Sequence, residues 1–290
     1  MRPSVLATAV CLAALTAPAV ALADTGTAPT APRGRTTAPA ALTALGLTAE
    51  QRLVQFPVNQ PSATTSRGTI SGLTGDTKLV GIDFRVQNLK LYGVGDRGGV
   101  YTVDTGNARA VKVSQLTVAL SGTRFGVDFN PAANRLRIVG DTGQNLRHNI
   151  DDTTGALGTV VDGTLTNPTV PPTTAQGVTG AAYTNNDLDA ATATTLFDID
   201  SLADRVALQS PANSGTLAPT GNLGLNAGPD TGFDIYFSPK ERTNRGFATL
   251  NNGSGHRLYA IDPLTGAARD LGAFPARRQV TDIALPLAQD

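Results

Sequence analysis

Short runs in which apolar and polar residues alternate recur along the chain, each closing on an aspartate. They read Val100-Tyr-Thr-Val-Asp104, Leu146-Arg-His-Asn-Ile-Asp151, Leu196-Phe-Asp-Ile-Asp200 and Leu258-Tyr-Ala-Ile-Asp262. Alternation with period two places successive side chains on opposite faces of an extended chain, so each run predicts a strand. Three of the four are followed within a few residues by Thr and Gly, and a spacing of roughly 45 to 60 residues is that of a propeller or solenoid. No apolar stripe at helical spacing is sustained, so very little helix is expected.

Aligning the runs yields four strands per unit. The clearest unit has strands at 81–84, 91–95, 100–104 and 110–116, with Asp96-Arg-Gly-Gly99 as the turn between the second and third. The next matches it at 126–129, 136–140, 146–151 and 157–161. In the third unit, 180–184 reads as the second strand and 196–200 as the third. The first must then come from the proline-rich segment 166–178, where proline removes ladder donors. The fourth unit reads 232–235, 246–250, 258–262 and 267–274. The two ends complement each other: 281–285 resembles a first strand, whereas 42–47, 53–56 and 69–73 supply a second, third and fourth. The predicted fold is an all-β propeller of five blades, each of four antiparallel strands, closed by pairing of the N- and C-terminal strands, which removes open sheet edges. The alternatives are six blades, with extra strands within 166–178 and 204–224, or an irregular open array.

Outside the repeats, residues 1–23 carry Arg2, an apolar run over 5–20 and then Ala21-Leu22-Ala23, a small-x-small cleavage pattern. This predicts a signal peptide, cleavage near Ala23 and a secreted or extracytoplasmic protein. The apolar run is shorter than the ~20 residues that span a bilayer, so no transmembrane segment is expected in the mature chain. Residues 24–40, rich in Thr, Ala and Pro, read as a disordered spacer, and 41–290 as a single propeller domain. Cys11 is the only cysteine and lies in the leader, which excludes disulfides and thiolate metal sites from the mature chain. Lys+Arg and Asp+Glu balance at 23 each, so no long-range field favours nucleic acid. A protein, peptide or glycan partner and a monomeric state are expected.

Two constellations carry candidate chemistry. Asp83, Asp128, Asp234 and Asp282 occupy equivalent places in the first strands of four blades, which line the central channel. They could ring a hard cation such as Ca²⁺. They could equally accept hydrogen bonds from backbone N–H groups of the neighbouring blade, as buried carboxylates must, and a residue repeated blade by blade favours this structural reading. The second set breaks the symmetry: Asp141, Gln144, Asn145, Arg147 and His148 lie at or after one turn between second and third strands. With Asp96, Asn185, Asn186 and Asn251 they could surround a ligand mouth. Against this, Asp and Asn are favoured in tight turns for their own main-chain hydrogen bonds.

Enzymatic signatures are sparse. No G-x-S-x-G elbow adjoins His148 or His256, the only histidines, and Glu50 and Glu241 are the only glutamates. Gly93-Val-Gly95 closes a strand instead of opening a helix, so no organic cofactor is expected. Three readings follow: a non-catalytic binding or scaffold propeller, which is favoured; a divalent-metal-dependent hydrolase or lactonase using the central channel; and a structural wall-associated repeat protein.

The run Gly126-Val-Asp-Phe-Asn-Pro131, Arg135-Leu-Arg-Ile-Val139 and Asp141-Thr-Gly-Gln-Asn-Leu-Arg147, with Gly232-Phe-Asp-Ile235, Leu258-Tyr-Ala-Ile-Asp262 and Thr265-Gly-Ala-Ala268, resembles the DUF4394 family over residues 41–285. The resemblance implies a propeller-like repeat fold and frequent export. It implies no reaction and transfers no catalytic residue.

Overall fold

A computed structural model describes residues 42–152 and 158–289. The expected leader, cleavage site and spacer lie outside the described residues. Five four-stranded antiparallel sheets form the blades. Blade 1 runs from the centre outward as β22 (Val280–Ala284), β1 (Thr43–Thr48), β2 (Arg52–Pro57) and β3 (Thr65–Thr69). Blade 2 is β4 (Leu79–Arg85), β5 (Lys90–Gly95), β6 (Gly99–Val103) and β7 (Ala110–Gln115). Blade 3 is β8 (Phe125–Asn130), β9 (Arg135–Gly140), β10 (Asn145–His148) and β11 (Thr159–Val161). Blade 4 is β14 (Val178–Tyr183), β15 (Leu196–Asp200), β16 (Arg205–Gln209) and β17 (Leu217–Asn222). Blade 5 is β18 (Gly232–Ser238), β19 (Thr243–Asn251), β20 (His256–Ile261) and β21 (Ala268–Ala273). No α-helix occurs among the described residues, only a single 3₁₀ turn at Ala212–Ser214.

The inner strands β22, β4, β8, β14 and β18 touch in sequence around a closed ring. Closure is made as the sequence predicts: β22 pairs with β1 in the register Leu45 to Ala284, Gly46 to Ile283 and Leu47 to Asp282. Each blade buries one apolar face against the next, and five hydrophobic clusters result, one per seam. Edge-to-face ring pairs tighten two of them, Tyr92 with Phe129 at 5.2 Å and Phe56 with Phe274 at 5.0 Å.

Four sequence expectations need correction. Residues 178–183 form the first strand of blade 4, not the second, and Leu196-Phe-Asp-Ile-Asp200 is its second strand, not its third. Segment 166–178 supplies no blade strand before Val178; it holds a small hairpin of β12 (Thr166–Asn167) and β13 (Thr173–Thr174). The strands within 204–224 exist, but they are the outer strands of blade 4 and do not add a sixth blade. In blade 1 the outer strand is Thr65–Thr69, earlier than the expected 69–73.

Candidate functional site

The hub is built from the middle of the inner strands. Asp83, Asp128 and Asp234 are buried there, and one oxygen from each lies within 4.8 Å of the others. Cross-strand register defines their common rung, because Asp83 faces Tyr92, Asp128 faces Arg137 and Asp234 faces Phe247. On that rung blade 4 carries Ala182, which faces Phe197.

Blade 1 carries Ala284 on the same rung, and Asp282 stands two residues earlier, at the level of the glycines. Two close approaches establish this. A Cβ on Gly126 would meet Ala181 N at 2.6 Å and Gly180 C at 2.8 Å, and a Cβ on Gly232 would meet Asp282 Cα at 2.4 Å. Asp282 therefore matches Gly180. The expected four-membered carboxylate ring is a triad, with the fourth carboxylate one rung toward the mouth.

Each carboxylate binds the blade that follows it. Asp83 Oδ2 accepts from Phe129 N at 2.8 Å, Asp128 Oδ1 from Tyr183 N at 3.1 Å, and Asp234 Oδ2 from Leu285 N at 2.6 Å. Asp282 Oδ2 makes the same kind of link to Ile82 N at 2.7 Å. Where the preceding blade offers alanine, the N–H is satisfied locally: Phe84 N donates to Asp83 Oδ1 and Ile235 N to Asp234 Oδ1, both at 2.6 Å. Five N–H donors thus meet six triad oxygens, and Asp128 Oδ2 is left without a partner among the described residues.

Burial pushes all four acids above the usual carboxylate range. For Asp83 the Asp234 charge adds to burial, and for Asp128 the charges of Asp83 and Asp234 do. Asp234 is raised to about 6 by burial, and Asp282 is also held high by burial.

Above the triad, where the inner strands begin, a cavity of about 200 Å³ opens, lined by all five blades. Asp282 and the Thr179–Thr231 hydroxyl pair line its interior. Lys78 and Arg124 reach it from blades 2 and 3, and Arg124 pairs with Asp230 ahead of blade 5, so the ion pair passes over blade 4. The turn aspartates position these cations. Asp96 accepts from Thr77 N at 2.8 Å and Asp141 from Thr123 N at 3.0 Å, anchoring the residue before each cation.

The rest of the expected turn-face set is placed otherwise. Gln144 is engaged by Ser121 N and Ala119 O. Asn145 is buried and fully used, accepting from Arg137 Nη1 at 2.7 Å and donating to Gly163 O and Ala212 O. Arg147 makes a bidentate pair with Asp162, which also takes Arg137 at 2.6 Å. These groups, with Asn213, form a polar core in the seam between blades 3 and 4. Asn185, with Asn186, follows the first strand of blade 4, so it lies at the opposite end of the ring from Asp96 and Asp141, bonded to Asn244. That correction follows directly from the one-strand shift of the third unit.

His148 is buried between Ser114 Oγ at 2.8 Å and Thr159 Oγ1 at 3.0 Å, and burial lowers its pKa. His256 starts β20 and is buried. Sequence reasoning missed Arg137, Asp162, Asp198 and the Arg124–Asp230 pair. One signal was present: Arg137 interrupts a position that is Tyr92, Phe197 or Phe247 in other blades.

These features define a class, a closed five-bladed β-propeller with a carboxylate hub beneath a mixed-charge mouth. The chain belongs to the DUF4394 family, a domain of unknown function, whose profile matches residues 52–284. Among solved structures it is similar to an auxiliary nutrient binding protein from Bacteroides ovatus, with 11% identity over 74% of this chain and a TM-score of 0.42; the match spans 57% of that protein's length. It is also similar to a structural genomics protein of unknown function from Bacteroides thetaiotaomicron, with 13% identity over 87% of this chain and 68% of the other, and a TM-score of 0.45. No functionally curated protein matches the chain.

Proposed function

We propose that this chain is an extracytoplasmic, non-catalytic binding propeller that takes the terminal unit of a peptide or glycan into its central mouth. The observation that carries the reading is the convergence of all five blades on one polar cavity whose rim is bridged by Arg124 and Asp230. At about 200 Å³ the cavity is smaller than the ~300–1,000 Å³ typical of sites that enclose a whole small molecule. That volume suits one sugar ring or one side chain, with the remainder of the polymer outside. A ligand carboxylate or hydroxyl would compete with Asp230 for Arg124. The triad lies buried beneath Asp282, which supports binding at the mouth over hydrolysis at the hub. The leader-like segment 1–23 supports export.

The test is titration calorimetry of the purified protein against defined panels of oligosaccharides and short peptides, repeated with Arg124→Ala. The Arg124–Asp230 pair is partly exposed and worth about 0–1 kcal/mol, so the variant should melt almost as the parent does. Binding by one panel, weakened about tenfold or more in the variant, is the expected result. No binding from either panel, or equal affinity in parent and variant, would overturn the reading.

A further inference from the structure

We propose that Asp83, Asp128 and Asp234 hold one hard divalent cation, Ca²⁺ by size, at the hub, tying blades 2, 3 and 5 together. The first observation is geometric. Three oxygens no more than 4.8 Å apart enclose a point no more than about 2.8 Å from each, and a slight contraction reaches the 2.3–2.6 Å of Ca²⁺–oxygen contacts. Mg²⁺, with its shorter contacts near 2.1 Å and its demand for octahedral order, would require a larger collapse of three separate strands.

The second observation is independent of the clustering. Asp128 is 1% exposed, and its Oδ2 receives no hydrogen bond from any described residue. This follows from the donor count at the hub. Five backbone N–H groups serve the triad rung, one per blade, and Asp128 sits between a preceding aspartate and a following alanine, so its own blade's N–H is already taken by Asp83. A buried carboxylate oxygen without a donor costs free energy unless something positive meets it. Three carboxylates whose oxygens lie within 4.8 Å of one another also repel when ionised unless a positive charge stands between them. A cation answers both needs, while water completes its remaining coordination positions.

The inference stands apart from the mouth reading, since the triad lies below the mouth cavity and does not line it. The protein is stripped with chelator, then titrated with CaCl₂ by calorimetry and melted with and without calcium; Asp128→Asn and Arg124→Ala are measured alongside. The expected result is one calcium per chain and a melting temperature raised by about 5–10 °C at a hundredfold excess over Kd. Asp128→Asn should lose this response while melting at or above the parent in chelator, and Arg124→Ala should retain the response. Absence of calcium binding by the parent overturns the proposal in favour of a proton- or water-filled hub. An undiminished response in Asp128→Asn also overturns it, by moving the calcium elsewhere.

Discussion

Replacing each triad aspartate by asparagine should have unequal effects, although the three positions look alike in sequence. Asparagine keeps one acceptor oxygen and exchanges the other for an NH₂ donor. Asp83 uses both oxygens, for Phe84 N and Phe129 N, and Asp234 uses both, for Ile235 N and Leu285 N. In Asp83→Asn or Asp234→Asn one backbone N–H therefore confronts another donor. A buried donor left unmet costs about 1–3 kcal/mol. Asp128 uses only Oδ1, for Tyr183 N. In Asp128→Asn the amide oxygen keeps that bond, and the NH₂ replaces an oxygen that has no partner among the described residues. All three substitutions relieve charge repulsion, so that contribution largely cancels in the comparison. In chelator at pH 7, urea unfolding should show Asp128→Asn at or above the parent, and the other two about 1–3 kcal/mol below it at unchanged m-value. For a domain of this size the gap corresponds to about 2–12 °C in melting temperature. Three variants within ~0.5 kcal/mol of one another would refute the donor count and leave charge alone as the determinant.

Two further outcomes follow from the seams and the closure. Asp198 is fully buried on β15, no donor among the described residues reaches either oxygen, and burial holds its pKa well above the usual range. Its folded state favours the protonated acid, so this stabilisation is complete below the unfolded value near 3.8 and is lost as pH rises through the raised folded value. Asp198→Asn should accordingly gain on the parent by about 1.4 kcal/mol per pH unit within that window, read from melts between pH 4 and 8; a constant gap would count against the assignment. Removing residues 280–290 deletes β22, exposes the inner edge of β1 and uncovers Leu45 and Leu47. The truncated chain should elute as oligomers and lose its cooperative melt; a monomer melting as sharply as the parent would contradict closure as a source of stability.

Blades 2, 3 and 5 were legible from sequence because each carries Gly, a spacer residue, Asp and then a large apolar residue in its first strand, as in Gly81-Ile-Asp-Phe84. The closure was legible because segment 281–285 had no partner except the N-terminal strands. The one-strand shift of blade 4 and the placement of Asp282 share one cause. Blade 4 has Gly180-Ala-Ala-Tyr183 and blade 1 has Ala284 where the others have aspartate. With the marker absent, Leu196-Phe-Asp-Ile-Asp200 could be slid onto the third-strand runs, since inner strands buried on both faces share one alternation and local pattern does not separate them. Asp282 was matched to the triad for the same reason, two residues out of step. The Arg124–Asp230 contact, by contrast, joins residues 106 positions apart, and no local pattern encodes it.

The two alanines are themselves part of the hub's physics. Five aspartates on one rung would bring ten carboxylate oxygens to five N–H donors and place five like charges at the centre of the ring. Alanine in blades 1 and 4 reduces this to six oxygens for five donors. The neighbouring aspartates then turn inward to their own N–H groups, at Phe84 and Ile235. The two alanine blades are not adjacent, so they separate the carboxylates into one consecutive pair, Asp83 and Asp128, and one single, Asp234. The unpartnered oxygen must then fall on the second member of the pair, whose N–H is already taken by the first and whose following blade needs only one acceptor. The broken repeat, and not the repeat itself, therefore determines where a cation could be held, and it marks Asp128 as the position at which the cation and stability experiments should diverge from those at Asp83 and Asp234.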